Sequence, residues 1–338
     1  MTNDNLPSFL QELLQPDRYD HPAQDLRLLQ THISYVILAG DFVYKFKKSV
    51  NFGFLDFSDL EKRRVCCQQE LLLNRRLCPD IYLGMVEVTV DPSGHYALNG
   101  NGDVVEYGIK MVRMPEDRMM TNLIRSGSLR VEHIDTLVEV LADFYRRAAG
   151  DDGISRFGSA AAVGVNVLEN FEQTRTFIGL GALSQSQFDL ISSYALQFLR
   201  REELFQQRVD SGYIRDCHGD LYSANICLAE KVYIYDCIEF NQRFRYCDVA
   251  SDVAFLAMDL DFYGLDDLGR RFIDSFVKET ADSGLVGMLN FYKCYRAYVR
   301  GKIGLFTASD PSVDQAVQTA NLENAAKYFI LAERYATE

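Results

Sequence analysis

The sequence lacks several features that would each have pointed to a definite class. No segment approaches the roughly 18 consecutive apolar residues of a membrane-spanning helix. The N-terminus, MTNDNLPSFLQELL, has neither the basic start nor the apolar run of a secretory signal. Eight cysteines in 338 residues are too dilute for a disulfide scaffold, and none forms a C-x-x-C pair. The expectation is a cytoplasmic protein with reduced thiols. Basic charge is also in short supply: 35 Lys and Arg face 48 Asp and Glu, for a net charge of −13. That balance argues against a broad basic face for nucleic acid and against a polybasic membrane patch. No internal repeat or low-complexity tract is present.

What is there is ordinary globular composition, 48% hydrophobic and 25% charged, at a length that suggests about two domains. Leu6 to Leu14 reads as a short helix. Leu28 to Ile37 and Asp41 to Phe46 are apolar runs rich in β-branched and aromatic residues, separated by LAGD, a hairpin signal. Leu60 to Leu77 has helical spacing, with Asp59 and Glu61 placed to favour its start. Tyr82 to Val90, Tyr96 to Leu98 and Val104 to Val112 read as strands joined by DPSG and NGNGD turns. Beyond MVRMPED the chain turns mostly helical, with long candidates such as Val163 to Ile178, Ser186 to Gln207 and Gly284 to Leu305. Ile214 to Phe240 interrupts them as two short strands carrying polar clusters. The expected architecture is α+β and bilobal: residues 1–113 form a small antiparallel β-sheet lobe with one helix, and residues 114–338 a larger, mainly helical lobe.

The densest polar signal is Cys217-His218-Gly219-Asp220-Leu221-Tyr222-Ser223-Ala224-Asn225, followed by Asp236 at the end of the apolar stretch Val232 to Tyr235. Asp220 and Asn225 have the five-residue offset of a kinase catalytic loop, in which the Asp orients a substrate hydroxyl and the Asn holds a metal ion. An Asp ending the next strand supplies a hard oxygen of the kind Mg²⁺ prefers. Upstream, Phe42-Val43-Tyr44-Lys45-Phe46 is an apolar strand interrupted by a lysine, the pattern of an ammonium that reaches nucleotide phosphates. Lys47 shares the face of Lys45 by strand alternation, so both are candidates. Glu70 and Glu61 are the candidate partner carboxylates, Glu70 being favoured because it precedes Leu71-Leu72-Leu73.

These elements, in this order, resemble the aminoglycoside phosphotransferase-like family within the protein-kinase-like fold, nearly end to end. The segment Cys247-Asp248-Val249-Ala250-Ser251-Asp252-Val253-Ala254 resembles the family's G-D-P-x-x-D-L-A, with Cys and Val in place of Gly and Pro. The resemblance implies that Asp252 braces the catalytic loop, with His218 in support. It implies that Asp248 starts the following helix, for which it is independently a good cap. THISYVILAGDFVYK, NFGFLDFSDLEKRR and YDCIEFNQRFRYCDVASDVAFLAMDL resemble a bacterial branch often fused to a C-terminal P-loop ATP-binding domain. This sequence has no G-x-x-x-x-G-K-[ST], so such an ATPase would act, if at all, in trans. The turn Leu29 to Ser34 has no glycine; the resemblance implies that backbone N–H groups and the hydroxyls of Thr31 and Ser34 hold phosphates there, and His32 reads as a packed loop residue. Adenine is expected against the backbone of Met111 and Arg113.

The implied activity is ATP- and Mg²⁺-dependent phosphoryl transfer to a hydroxyl of a small molecule. Lys45 and Glu70 would orient phosphates, Asn225 and Asp236 hold metal, and Asp220 orient the acceptor. A protein Ser/Thr kinase and a non-catalytic ATP-binding regulator are the alternatives, the former weakened by the short span between Asp236 and Asp248. The charge of the acceptor is open. Twelve basic and fifteen acidic residues up to position 113 leave −3 there and −10 in the remainder, which suits a cationic acceptor or solubility alone. Against that, Lys293, Arg296 and Arg300 share one helical face, and Arg243 and Arg245 could join them around an anionic acceptor. The alternative is that Arg296 and Arg300 form ion pairs with neighbouring carboxylates and fix the helix in place. Glu239 is expected to contact substrate or metal, or to close its loop.

Overall fold

A computed structural model describes residues 6–311 and 313–338. The chain divides into two compact units, residues 1–119 with 233–242, and residues 120–232 with 243–338. The segment 233–242 carries Asp236 and Glu239, so these two residues belong to the first unit although they follow the catalytic-loop motif in sequence.

The first unit is built on six strands. β1 (Arg27–Gln30), β2 (Ser34–Ala39), β3 (Phe42–Lys47), β4 (Tyr82–Val90), β5 (Tyr96–Leu98) and β6 (Asp103–Val112) form an antiparallel sheet in the order β1-β2-β3-β6-β4-β5. The run read as one strand from Leu28 to Ile37 is two, because Thr31 Oγ1 accepts from the backbone N–H of Ser34 (2.9 Å) and Ile33 (3.3 Å) and breaks the ladder with a tight turn. Alternation on β3 turns Tyr44 and Phe46 into a core with Phe9, Leu10 and Leu13 of α1 (Ser8–Leu13). Lys45 and Lys47 take the other face. α2 (Leu60–Asn74) starts at Asp59, whose side chain accepts from Lys62 N at 2.8 Å. Its Cys67 and Leu71 pack with Tyr82, Ile109 and Met111.

The second unit is mainly helical. α3 (Met120–Arg125), α4 (Val131–Arg147), α5 (Asp152–Ser155), α6 (Ala160–Thr174), α7 (Gln185–Leu199) and α8 (Glu202–Asp210) precede β7 (Ile214–Asp216) and β8 (Ile226–Leu228). β9 (Val232–Ile234) leads into the 233–242 segment of the first unit. α9 (Gln242–Arg245) and β10 (Tyr246–Asp248) follow, then α10 (Val249–Phe262), α11 (Asp266–Thr280), α12 (Leu285–Ser309) and α13 (Gln315–Thr337). The single helix expected from Ser186 to Gln207 is interrupted at Arg200 and Arg201, where Arg201 leaves helical geometry (ψ 55°) without a Gly or Pro to announce it. β7 pairs antiparallel with β10, bringing Asp216 opposite Tyr246. α10 is buried almost along its whole length, which its near-continuous apolar sequence requires. Among the described residues no helix is long and apolar enough to cross a membrane.

A buried ion triad ties α8, α10 and the α11–α12 turn together: Arg208 holds Asp248 (2.8 Å) and Asp282, all nearly inaccessible. In the first unit, Gly108 lies opposite Phe46 in the β3–β6 register, and a Cβ there would come within 2.5 Å of the Phe46 ring. Gly108→Ala should therefore cost about 1–3 kcal/mol by overpacking, read as a lower midpoint in urea unfolding; an unchanged midpoint would show that Phe46 has room to move.

Candidate active site

In the first unit, β3 and α2 bring two ammoniums to one carboxylate. Glu70, fully buried, accepts from Lys45 Nζ on Oε1 (2.8 Å) and from Lys47 Nζ on Oε2 (2.7 Å). Lys45 also donates to Asp236 Oδ1 (2.5 Å), and Lys47 to Glu239. Of the pairs left open by the sequence, Glu70 takes both lysines, while Glu61 pairs with Arg64 on the surface of α2. Burial alone would raise the Glu70 carboxyl; the Lys45 and Lys47 charges outweigh it and hold the group down to about 2. Glu239 is the reverse case, its burial winning over Lys47 so that its carboxyl is raised. Burial also works against the Lys45 ammonium, but Asp236 and Glu70 keep it firmly charged.

Asp236 sits in the left-handed backbone region (φ 64°), which Asp tolerates better than most residues. Its N–H faces the Tyr82 hydroxyl (3.4 Å), and the next N–H, of Cys237, donates to Asn74 Oδ1 (2.9 Å). The Asp236 side chain remains nearly half exposed (45%), unlike those of its neighbours in the network. Asn74 in turn donates to the Glu70 carbonyl (2.8 Å), so one face of α2 supports both the carboxylate and the Asp236 turn.

The second unit supplies the loop. Gly219 takes φ 87°, a conformation that favours glycine. Asp252, at the start of α10 and fully buried, accepts from His218 N (2.7 Å), Gly219 N (2.9 Å) and the Tyr145 hydroxyl (3.1 Å). Arg296 of α12 donates to the Gly219 carbonyl at 2.9 Å and lies 3.6 Å from Asp252. His218 is buried, and its Nδ1 faces Asp220 N at 3.3 Å. Asn225 Nδ2 bonds both the carbonyl (2.9 Å) and Oδ2 (3.0 Å) of Asp220, which turns the two motif residues toward each other. Asp259 accepts from Ser223 N (2.9 Å), a support that no motif announced. Asp248 caps α10 through Ala250 N (2.9 Å).

Other expected contacts are placed differently. Ser34 Oγ is buried with no hydrogen-bond partner, and Thr31 Oγ1 closes its own turn, so neither hydroxyl is presented as a phosphate ligand. Met111 is buried in the sheet core, and Arg113 N–H is committed to the Asp41 carbonyl (2.8 Å), which removes that donor from adenine. Four of the five cations expected around an anionic acceptor are committed to other partners. Arg243 forms a two-pronged pair with Glu169 (2.7 Å each), Arg245 is buried on Asp216 (2.6 Å), and Lys293 pairs with Asp261 (2.8 Å). Arg296 is spent on the Gly219 turn. Arg300 alone of the five lacks such a pair among the described residues; it lies over the Tyr222 and Tyr328 rings (4.7 and 5.6 Å). Glu239 closes its loop onto Lys47.

With this geometry in hand, comparison with known proteins places the fold. No family model matches the sequence. Proteins of Mycobacterium tuberculosis and Mycobacterium bovis, named only as uncharacterized, are 33% identical over 318 residues. That match takes in 94% of this chain but 60% of theirs. The structure of wild-type aminoglycoside 2'-phosphotransferase-IIIa in complex with GDP aligns over 96% of this chain and 99% of its own, with a TM-score of 0.52 at 15% identity. The chain has the aminoglycoside phosphotransferase-like, protein-kinase-like fold. APH(3'')-Id of Streptomyces rimosus shares this phosphotransferase-like fold (TM-score 0.50, 13% identity, 86% and 98% of the two chains). So does a glucosamine kinase in complex with glucosamine, ADP and inorganic phosphate (TM-score 0.50, 13% identity, 93% and 80%).

The charge network makes acid sensitivity specific. Because the Glu70 carboxyl is depressed in the folded protein, its contribution is complete above its unfolded value near 4.3 and is lost as pH falls from there towards about 2. Glu70→Gln should be less stable than the parent at pH 6, and the gap in melting temperature should narrow on acidification; a gap constant with pH would contradict the assignment. In the second unit, Asp252→Ala leaves two buried N–H groups and the Tyr145 hydroxyl without their acceptor, and removes the carboxylate beside Arg296. It should cost about 3–5 kcal/mol in chemical unfolding.

Proposed function

We propose that the chain is a phosphotransferase that passes the γ-phosphoryl group of ATP, with Mg²⁺, to a hydroxyl group of a small molecule. The observation that carries the reading is the Asp220–Asn225 loop, whose two motif side chains are bonded to each other while Asp252 and Arg296 pin the turn before them. The nucleotides named in the aminoglycoside phosphotransferase and glucosamine kinase structures, GDP and ADP, support nucleotide use. That both are small-molecule enzymes by name supports the acceptor class.

Phosphoryl transfer asks the protein mainly to position groups and balance charge. In this reading Lys45 contacts the nucleotide phosphates, while Glu70 stays paired through Lys47. Asp220, with one oxygen occupied by Asn225, accepts a hydrogen bond from the acceptor hydroxyl and takes its proton as the new O–P bond forms. The bond from the γ-phosphorus to the bridging oxygen breaks, and ADP leaves.

Among the described residues no cluster of three His, Cys, Asp or Glu side chains could hold a metal. The donor set nonetheless suits Mg²⁺, which binds through one or two carboxylates together with phosphates and water. In the first unit the half-exposed Asp236 carboxylate, and in the second the amide oxygen of Asn225, whose nitrogen is spent on Asp220, are each a hard oxygen of the kind that would hold it. When bound, the ion supplies neutralisation of the phosphate charge.

Two substitutions separate the roles. Asp220→Ala should lower transfer by about 10²–10⁴-fold while leaving ATP affinity, measured by calorimetry, nearly unchanged. Asp236→Ala should weaken Mg²⁺-dependent ATP binding itself. ATP binding without transfer in the parent protein, across a panel of hydroxylated metabolites, aminoglycosides and casein, would support a non-catalytic nucleotide-binding role. Transfer to casein alone would favour a protein kinase.

A further inference from the structure

Arg300 is a polar feature near the loop that neither the fold nor the assigned roles explain. It stands on α12, one turn beyond Arg296, and is only partly exposed. Its guanidinium lies over the ring of Tyr222, two residues past Asp220 in the loop, and over that of Tyr328 on α13. Its Nε is buried with no hydrogen-bond partner. The ion pairs that commit Arg243, Arg245, Lys293 and Arg296 have no counterpart at Arg300 among the described residues. The Tyr328 hydroxyl bonds it, and Asp220 and Asp259 act on its charge from further away.

The Tyr222 ring lies against the guanidinium and the Tyr328 hydroxyl takes one of its donors, which leaves the remaining N–H groups along its edge. That edge matches a carboxylate or phosphate, which can accept two parallel bonds. A half-buried cation without an adjacent anion is also the state that a bound anion relieves. We propose that Arg300, held by Tyr222 and Tyr328, is a subsite for an anionic group, so that the acceptor carries a phosphate or carboxylate as well as the hydroxyl presented to Asp220. This rests on the phosphotransferase reading for the hydroxyl, and on Arg300 alone for the anion.

The test titrates inorganic phosphate by calorimetry into the full chain saturated with Mg²⁺ and the non-hydrolysable analogue AMP-PNP, so that sites for nucleotide phosphates are filled. Parent protein, Arg300→Gln and Arg300→Lys are compared. Saturable binding in the parent, weakened about tenfold by Arg300→Gln and less by Arg300→Lys, is expected for loss of a charge-assisted fork; AMP-PNP affinity should stay within about twofold. Phosphate binding that is absent, or indifferent to both variants, overturns the subsite and leaves the phosphotransferase reading intact. If AMP-PNP itself fails to bind, that reading falls, and the same titration of nucleotide-free protein still tests Arg300. Should Arg300→Gln fail to fold, as judged by its melting curve, Arg300→Lys retains the stacked charge and serves alone. Matched acceptors then give the class: glucose against glucose 6-phosphate, and glycerol against glycerate. Transfer confined to a charged member supports the subsite and tells phosphate from carboxylate, whereas transfer to neutral or amino sugars that is unaffected at Arg300 overturns it.

Discussion

One buried carboxylate, Glu70, sets the terms for the first unit. A charge with no solvent access persists only if it is paired and hydrogen-bonded on every side, because the desolvation penalty otherwise neutralises it. Glu70 meets that condition with two lysines, one on each oxygen, and each lysine carries the constraint outward to a further carboxylate. The result spans β3, α2 and the 233–242 segment, three pieces of chain far apart in sequence. A single lysine–glutamate pair would leave Glu70 uncompensated whenever its partner turned to a ligand. The second lysine removes that conflict, so that Lys45 could turn to another anion without orphaning Glu70.

The loop in the second unit follows the same logic with backbone groups in place of ammoniums. Gly219 adopts a backbone that helix and sheet ladders cannot satisfy, so its polar groups need side-chain partners: Asp252 for the N–H and Arg296 for the carbonyl. Both come from helices anchored elsewhere, α10 by the Arg208 triad through its cap and α12 by its packing on α13. The His218–Asn225 loop is therefore only the visible end of a longer chain of supports.

How much of this could be read from the sequence depends on whether the information was local. The β3 lysines, the α2 carboxylate and the Asp220–Asn225 spacing are short-range patterns with chemistry attached, and the lobes around them follow from periodicity. What stayed hidden was choice among partners. Alternation placed Lys45 and Lys47 on one face, but nothing local said that Glu70 would take both, or which of its expected roles Glu239 would fill. The basic face of α12 looked like a binding surface because one-dimensional spacing cannot show Asp261 facing Lys293 or a carbonyl facing Arg296. Glu169, 74 residues before Arg243, is the same lesson at greater distance. The break between α7 and α8 carried no Gly or Pro, and the Thr31 turn hid inside an apolar run because a hydroxyl, not a breaker residue, makes it.

The backbone of Asp236 narrows what evolution can do at that position. The residue must pass two filters, one for a carboxylate and one for a left-handed φ. Asn passes the conformational filter and fails the chemical one. Glu keeps the charge, but its extra methylene weakens the short local contacts that let Asp and Asn occupy that region. Glycine fits the turn and brings no charge at all. Drift away from aspartate here has no halfway house: one substitution loses either the carboxylate or the backbone conformation that aims it.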